Sequence, residues 1–250
     1  MQRTLRAMTE HTALDTTPVP VPPERVTVVP ANEASWDDLV AIFGTTDYPG
    51  RCQCQRFKVV PWFWRDSTQE ERTEMLRVQT ACGDPDAEST SGLVAYVEGE
   101  PVGWVAVEPR TEYPKLRTSR IPWAGRSEDK DDDEVWAVTC FAVRKGYRGR
   151  GLMYPLARAT IEFARERGAR AIEAYPMITQ PGKEITWGEL HVGARQAFED
   201  AGFEEVTHPT ARRVVMRIDF DEPAADAVSP AATEAKPTRT SGSHRLTDIM

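Results

Sequence analysis

Cysteine is scarce. Four residues in a chain of 250 give no disulfide framework, and a reducing, cytoplasmic setting is the simplest expectation. Long apolar runs are missing too: no stretch reaches the roughly 18 residues that a bilayer-spanning helix requires, so no membrane partner is expected. Arg3 and Arg6 stand near the N-terminus without an apolar segment behind them, which is not the pattern of a secretory leader. Positive charge is in deficit, with 31 Lys and Arg against 39 Asp and Glu and a formal net charge of −8. A general nucleic-acid binder carries the opposite balance, and no nucleic-acid partner is expected. Cys52-Gln53-Cys54 has no second pair at useful spacing. Two thiolates fall short of the four ligands of a closed zinc site, so no metal is expected.

What is present divides into three parts. Residues 1–24 are polar and run into Pro18-Val19-Pro20-Val21-Pro22-Pro23, expected to be a flexible, polyproline-like lead-in. Residues 221–250 are rich in Ala, Thr, Ser and Pro, lack apolar periodicity, and read as a disordered tail. Residues 25–220 hold nearly all the aromatic side chains, as a core requires, and form the one expected domain.

Within that domain the hydrophobic pattern gives an order of elements. A strand is predicted over 25–29. Ser35 is placed to cap a helix whose buried face is Leu39, Val40, Ile42 and Phe43. A second helix is predicted over 67–80. Apolar runs at 93–97 and 102–107, joined by Glu98-Gly99-Glu100-Pro101, read as a hairpin. Residues 110–133 form a long polar connection that includes the acidic run 128–133. A central strand over 135–143 is followed by a helix over 154–167 that Gly168 ends. A strand over 171–175, a short helix over 192–201 and strands over 203–206 and 214–218 complete the domain. The hairpin beside a long central strand points to an α/β (α+β) fold with a mixed sheet, not to a doubly wound parallel one.

The most informative stretch lies between the central strand and its helix: Val143-Arg144-Lys145-Gly146-Tyr147-Arg148-Gly149-Arg150-Gly151-Leu152. Glycines allow close backbone approach to a ligand. The free N–H groups at a helix start favour anions, and four basic side chains add to the same end. No Gly-Lys-Ser/Thr closes the turn, so it is not a Walker loop, and the third glycine of a dinucleotide fingerprint is missing. Arg148-Gly149-Arg150-Gly151-Leu152-Met153 closely resembles the acyl-CoA pyrophosphate loop of the GNAT N-acetyltransferase superfamily, Gln/Arg-x-x-Gly-x-Gly/Ala. Met153 departs from it, standing where that family usually has Gly or Ala. The order of elements over about 25–220 is similar to that family's, as is the Gly202-Phe203 step after the last helix.

The resemblance implies a mostly antiparallel mixed sheet flanked by helices, and acetyl-CoA or a related acyl-CoA as donor. It implies that the backbone of Phe141, Ala142 and Val143 pairs with the pantetheine arm, and that the amides of Arg148, Gly149, Arg150, Gly151, Leu152 and Met153 hold the pyrophosphate. Many members place a Tyr four residues before the Gly of the Gly-Phe step, as the acid for the departing thiolate; here that position is Phe198. Tyr175 is the substitute acid and Glu134 a base acting through water, with Glu173 a second carboxylate. A strand tyrosine and a solvated strand-end carboxylate are the structural alternatives for the first two. His191 stands where the family often has Asn and is read as a polar contact. Trp62 and Trp64 either line an acceptor pocket or fill core, and the run 128–133 either attracts a cationic acceptor or is solvated loop.

The expected activity is acetyl transfer from acetyl-CoA directly to a primary amine of a small molecule or a protein. The rival reading is a non-catalytic acyl-CoA-binding sensor, favoured by Phe198.

Overall fold

The computed structural model describes residues 18–44, 47–180, 182 and 185–220. The tail expected over 221–250 and the first 17 residues of the expected lead-in lie outside the described residues. The inner end of that lead-in is held: the Val21 N–H donates to the Arg150 carbonyl at 2.9 Å, and the Val21 side chain is buried.

The chain begins with strand β1 (Val26–Pro30) and helices α1 (Trp36–Phe43), α2 (Asp47–Cys52), α3 (Pro61–Asp66) and α4 (Gln69–Thr80). Strands β2 (Leu93–Val97) and β3 (Glu100–Pro109) form the expected hairpin. Short helices α5 (Pro114–Thr118) and α6 (Arg120–Trp123) precede β4 (Val135–Val143). Then come α7 (Met153–Glu166), β5 (Ala171–Ala174), α8 (Trp187–Leu190), α9 (Arg195–Asp200), β6 (Glu204–Thr210) and β7 (Arg213–Asp219). Local chemistry fixes several of these boundaries. Ser35 and Thr68 each close a capping box, accepting from the N–H of Asp38 and Glu71 while those carboxylates bond back, an arrangement that contributes about 1 kcal/mol per helix. The helix predicted over 192–201 is confined to Arg195–Asp200, because residues before it are drawn to Met177: its N–H donates to the Gly193 carbonyl and its carbonyl accepts from Arg195, both at 2.9 Å.

The seven strands form one sheet in the order β1-β2-β3-β4-β5-β7-β6. Only β4 and β5 run parallel; every other neighbouring pair is antiparallel. The mixed, mostly antiparallel sheet expected from the resemblance is therefore present. Side chains alternate across it, as the two-residue strand period demands. Val105 and Val107 join Leu156 and Phe163 of α7 in one core layer. Trp104 and Ala106 join Leu39, Ile42, Phe43 and Leu76 of α1 and α4 in the other.

Two features of β4 position the site. A bulge at Thr139 shifts its register against β3, where Cys140 pairs with Ala106 and Val138 with Val107. Pairing with β5 stops at Val138 opposite Ala174, so the second half of β4, still paired with β3 on its other edge, has no strand partner on the β5 side, and the sheet splays open there.

Candidate functional site

The loop between β4 and α7 lies at the open end of the splay. Gly149 and Gly151 hold φ of +71° and +79°, a region that side chains other than glycine enter at a cost of about 1–2 kcal/mol. Gly151 has open space where a Cβ would stand, whereas at Gly149 a Cβ would meet the Pro18 ring at 3.2 Å. Among the described residues, no hydrogen bond uses the backbone N–H groups of residues 148–153. Unpaired N–H groups at the start of a 14-residue helix are suited to oxygens of a phosphate.

The basic side chains of the loop are mostly engaged elsewhere. Arg144 pairs with Glu100 at 3.1 Å. The Arg148 Nε donates to the Val143 carbonyl at 3.1 Å and the Arg150 Nε to the Val19 carbonyl at 3.0 Å. Main chain, more than side chain, makes this cradle. Met153 fits it without crowding: its sulfur turns aside and accepts the Ala194 N–H at 3.1 Å.

Phe141, Val143, Tyr147, Arg148, Gly149, Gly151, Leu152, Met153 and Leu190 enclose a mostly apolar groove of about 240 Å³. The Phe141 N–H reaches across the splay to the His191 carbonyl at 2.6 Å. In a strand the N–H and C=O of one residue point the same way and repeat every second residue. The Phe141 carbonyl and the Val143 N–H therefore also face the groove. Ala142 is the exception among the three residues assigned to the pantetheine arm: one residue out of step, its N–H and C=O point towards β3, and it does not line the groove.

A second cavity of about 410 Å³ lies on the other side of the 188–192 segment. Its walls include Arg56 and Phe57, Lys115 of α5, Tyr175 and Met177 beyond β5, Arg212 of the β6–β7 turn and Arg213 at the start of β7. Gly188, Glu189, His191 and Val192 line this cavity while Leu190 lines the groove, so one short segment is a wall of both. The Nδ1 of His191 bonds the Gly188 carbonyl at 2.9 Å, which requires the proton on Nδ1. Burial, reinforced by the charge of Arg56, lowers its pKa to about 4, and the ring is neutral at pH 7.

The residues proposed for proton transfer fall unevenly. Tyr175 lines the cavity, but its hydroxyl donates to Glu173 Oε2 at 3.0 Å. Burial, then the charge of Glu173, raises the phenol well above its ordinary pKa. Glu173 is fully buried and sits among Arg126, Arg217 at 2.7 Å and Arg110 at 3.5 Å. Burial alone would raise its pKa; those guanidiniums more than offset it and hold the carboxylate ionised. Glu134 stands apart, two-thirds exposed beside Arg170 at the far end of β4, roughly 20 Å of strand before Phe141. Phe198, at the position of the usual acid, is fully buried against Phe141 and Phe203, with ring centroids 5.8 and 5.1 Å away.

Other expectations are corrected. Trp62 is exposed on the surface and Trp64 packs beside the Arg72 guanidinium. Neither lines the groove or the second cavity; from that part of the chain Arg56 and Phe57 line the latter. The acidic run is answered by arginines, with Glu128 beside Arg126 and Arg217, Asp131 on Arg117 and Asp132 on Arg170, and no residue of it lines the cavity. Cys54 accepts the Trp104 indole N–H at 3.0 Å. Among the described residues, no group of three or more His, Cys, Asp or Glu is arranged to hold a metal ion. Lys115 and Arg213 carry no signal in the sequence, because they come from unrelated segments that only the fold brings beside Arg56.

The profile of the acetyltransferase (GNAT) family matches residues 56–182. No curated protein matches the sequence. Several solved structures are similar. A GCN5-related N-acetyltransferase from Kribbella flavida is 19% identical, with 80% of this chain and 100% of that one covered and a TM-score of 0.44. An N-acetyltransferase from Staphylococcus aureus Mu50 is 14% identical, with 78% and 98% covered and a TM-score of 0.43. The PaiA N-acetyltransferase from Thermoplasma acidophilum, in complex with coenzyme A, is 9% identical, with 78% and 99% covered and a TM-score of 0.42.

Proposed function

The chain belongs to the acetyltransferase (GNAT) family, and on that premise we propose that it transfers acetyl from acetyl-CoA directly to a primary amine. Residues 25–220 carry the site in this reading. The observation that carries it is the pair of cavities at the splay of β4 and β5: a groove under a loop of unpaired N–H groups, and an acceptor-sized cavity sharing the 188–192 wall. Such a pair brings a donor and an acceptor together from opposite sides, which removes much of the entropic cost of a two-substrate reaction.

Bound there, acetyl-CoA supplies an activated thioester. The chain's own residues do the rest. The N–H groups of Arg148 to Met153 would hold the pyrophosphate, and the Phe141 carbonyl and Val143 N–H would pair with the amides of the arm. Phe141, Leu152 and Leu190 exclude water from the groove. Tyr175 walls the cavity, but its proton is committed to Glu173. Solvent therefore protonates the leaving thiolate, whose conjugate acid has a pKa only about one to two units above neutral. Glu134 has no part in this scheme. The four cysteines are all free thiols, which supports a reducing cytoplasm as the working compartment; among the described residues no helix is long and apolar enough to cross a membrane.

The test is thiol release from acetyl-CoA across an amine panel, with donor affinity measured in parallel by calorimetry. Turnover on at least one amine is expected. The second reading, a non-catalytic acyl-CoA sensor, rests on the aromatic burial of Phe198. Tight donor binding without turnover on any amine would establish it, and failure to bind acetyl-CoA would remove both.

A further inference from the structure

The acceptor cavity is a basic site on an acidic protein. The chain's formal net charge is −8, yet four cations, Arg56, Lys115, Arg212 and Arg213, line this cavity against the single carboxylate of Glu189. Glu189 is spent on Arg212, at 3.0 Å. Arg56 donates to the Tyr48 hydroxyl at 2.9 Å, and Arg213 donates twice to the Tyr175 carbonyl, at 3.2 and 2.6 Å. These partners are neutral. Among the described residues, no carboxylate lies within ion-pair distance of Arg56, Lys115 or Arg213. His191, the other titratable group on the wall besides Tyr175, adds no negative charge.

Three half-buried cations converging without a counter-charge are costly unless a ligand completes them. Resting on the acetyl-transfer reading above, we propose that the acceptor is a small amine that also carries an acidic group, a carboxylate, phosphonate or phosphate, held by Arg56, Lys115 and Arg213. A cavity of about 410 Å³ is in the range of small-molecule sites. A lysine-rich protein tail would meet repulsion at its walls.

The same charges answer the missing base. An amine attacks only when neutral, and a positive surrounding disfavours its protonated form. Lys115 is an amine already standing in this field: burial, then the charge of Arg56, lowers its pKa. An acceptor amine beside Arg56, Lys115, Arg212 and Arg213, with Glu189 neutralised by Arg212 and His191 uncharged, is pushed the same way. It loses its proton to water and attacks the thioester carbon. The attacking nitrogen gives up its second proton to water as the carbon–sulfur bond breaks, the thiolate takes a proton from solvent, and no carboxylate base is needed.

The experiment compares matched acceptors on the full chain: ω-amino carboxylates and aminoalkylphosphonates against the corresponding amides and alkylamines. The acidic member of each pair is expected to have a kcat/KM at least about tenfold higher, the scale of one charge-assisted contact. Lys115→Gln and Arg56→Gln should each narrow that gap by about tenfold, with the KM for acetyl-CoA unchanged. Lys115→Arg should restore it. The rising limb of kcat/KM with pH should lie below the acceptor's own solution pKa, and Lys115→Gln should move it about one unit back up. Equal or faster turnover of amides overturns the proposal, as does a loss in the variants that is the same for both members of a pair. Should the enzyme turn over none of these amines, calorimetric titration with CoA present separates the two claims. Binding of the acids but not the amides upholds the basic acceptor site and leaves acetyl transfer as the reading that failed. Equal binding of both removes the acceptor site.

Discussion

The Tyr175 hydroxyl donates to Glu173 Oε2 at 3.0 Å, two residues back along the same strand end, where both side chains face one way. This bond turns the one tyrosine of the acceptor cavity away from its contents and into a buried cluster with Arg110, Arg126 and Arg217. Tyr175→Phe should therefore keep the cavity's shape while leaving an ionised, buried carboxylate one donor short. A stability loss of about 1–3 kcal/mol in urea unfolding is expected, with kcat within about threefold of the parent. A hundredfold fall in kcat at unchanged stability would instead make Tyr175 the proton donor to the thiolate.

His191 should leave a signature in the pH dependence of stability. Its pKa is about 4 in the folded protein against about 6.5 when solvated. Between those values the unfolded chain binds the proton and the native protein does not. Stability contributed by this group is thus fully present above about 6.5 and falls as pH drops towards 4, by about 3 kcal/mol in total. His191→Asn should show a smaller loss than the parent between pH 7.5 and 4.5. Parallel pH profiles for the two proteins would mean that the imidazole is solvated.

Gly151→Val tests the loop. Open space surrounds the position, so the penalty is one of backbone conformation, about 1–2 kcal/mol of stability, together with a side chain placed where the donor's phosphates approach. Acetyl-CoA affinity should fall at least tenfold by calorimetry. An unchanged affinity would refute the assignment of residues 148–153 to the donor.

Phe198→Tyr restores the residue type of the usual acid to its place, but not its surroundings. Its hydroxyl would be buried beside Phe141, Phe203 and Gly193, and the Phe198 ring already comes so close to Gly193 that a Cβ added there would stand 2.6 Å from it. A cost of about 1–3 kcal/mol is expected, with no gain in turnover. Faster thiol release at parental stability would show that the ring can turn towards the groove.

The donor side was legible in the sequence because it is built from one contiguous stretch. An apolar nine-residue run, a glycine-arginine turn and an amphipathic helix announce themselves through local rules of period and turn chemistry. Ala142 shows the limit even there: the direction of each main-chain group depends on the partner strand, which the run itself does not specify. The acceptor side was legible only in part, through Tyr175 and His191. Arg56, Lys115 and Arg213 come from a turn, a five-residue helix and a strand start, and only the topology brings them together. Of the two readings of the acidic run 128–133, the surface loop holds, and the sequence left the choice open for the converse reason. Its charges are conspicuous in sequence, while the arginines that answer them, Arg117, Arg126, Arg170 and Arg217, are dispersed along the chain.

Because residues 188–192 wall both cavities, the two substrates press on a common five-residue partition. Whatever the first to arrive does to that partition, the second inherits. Their affinities are thermodynamically linked, and the factor by which the donor changes acceptor binding must equal the factor by which the acceptor changes donor binding. A residue such as Leu190, which never touches the acceptor side, thereby acquires leverage over acceptor selectivity.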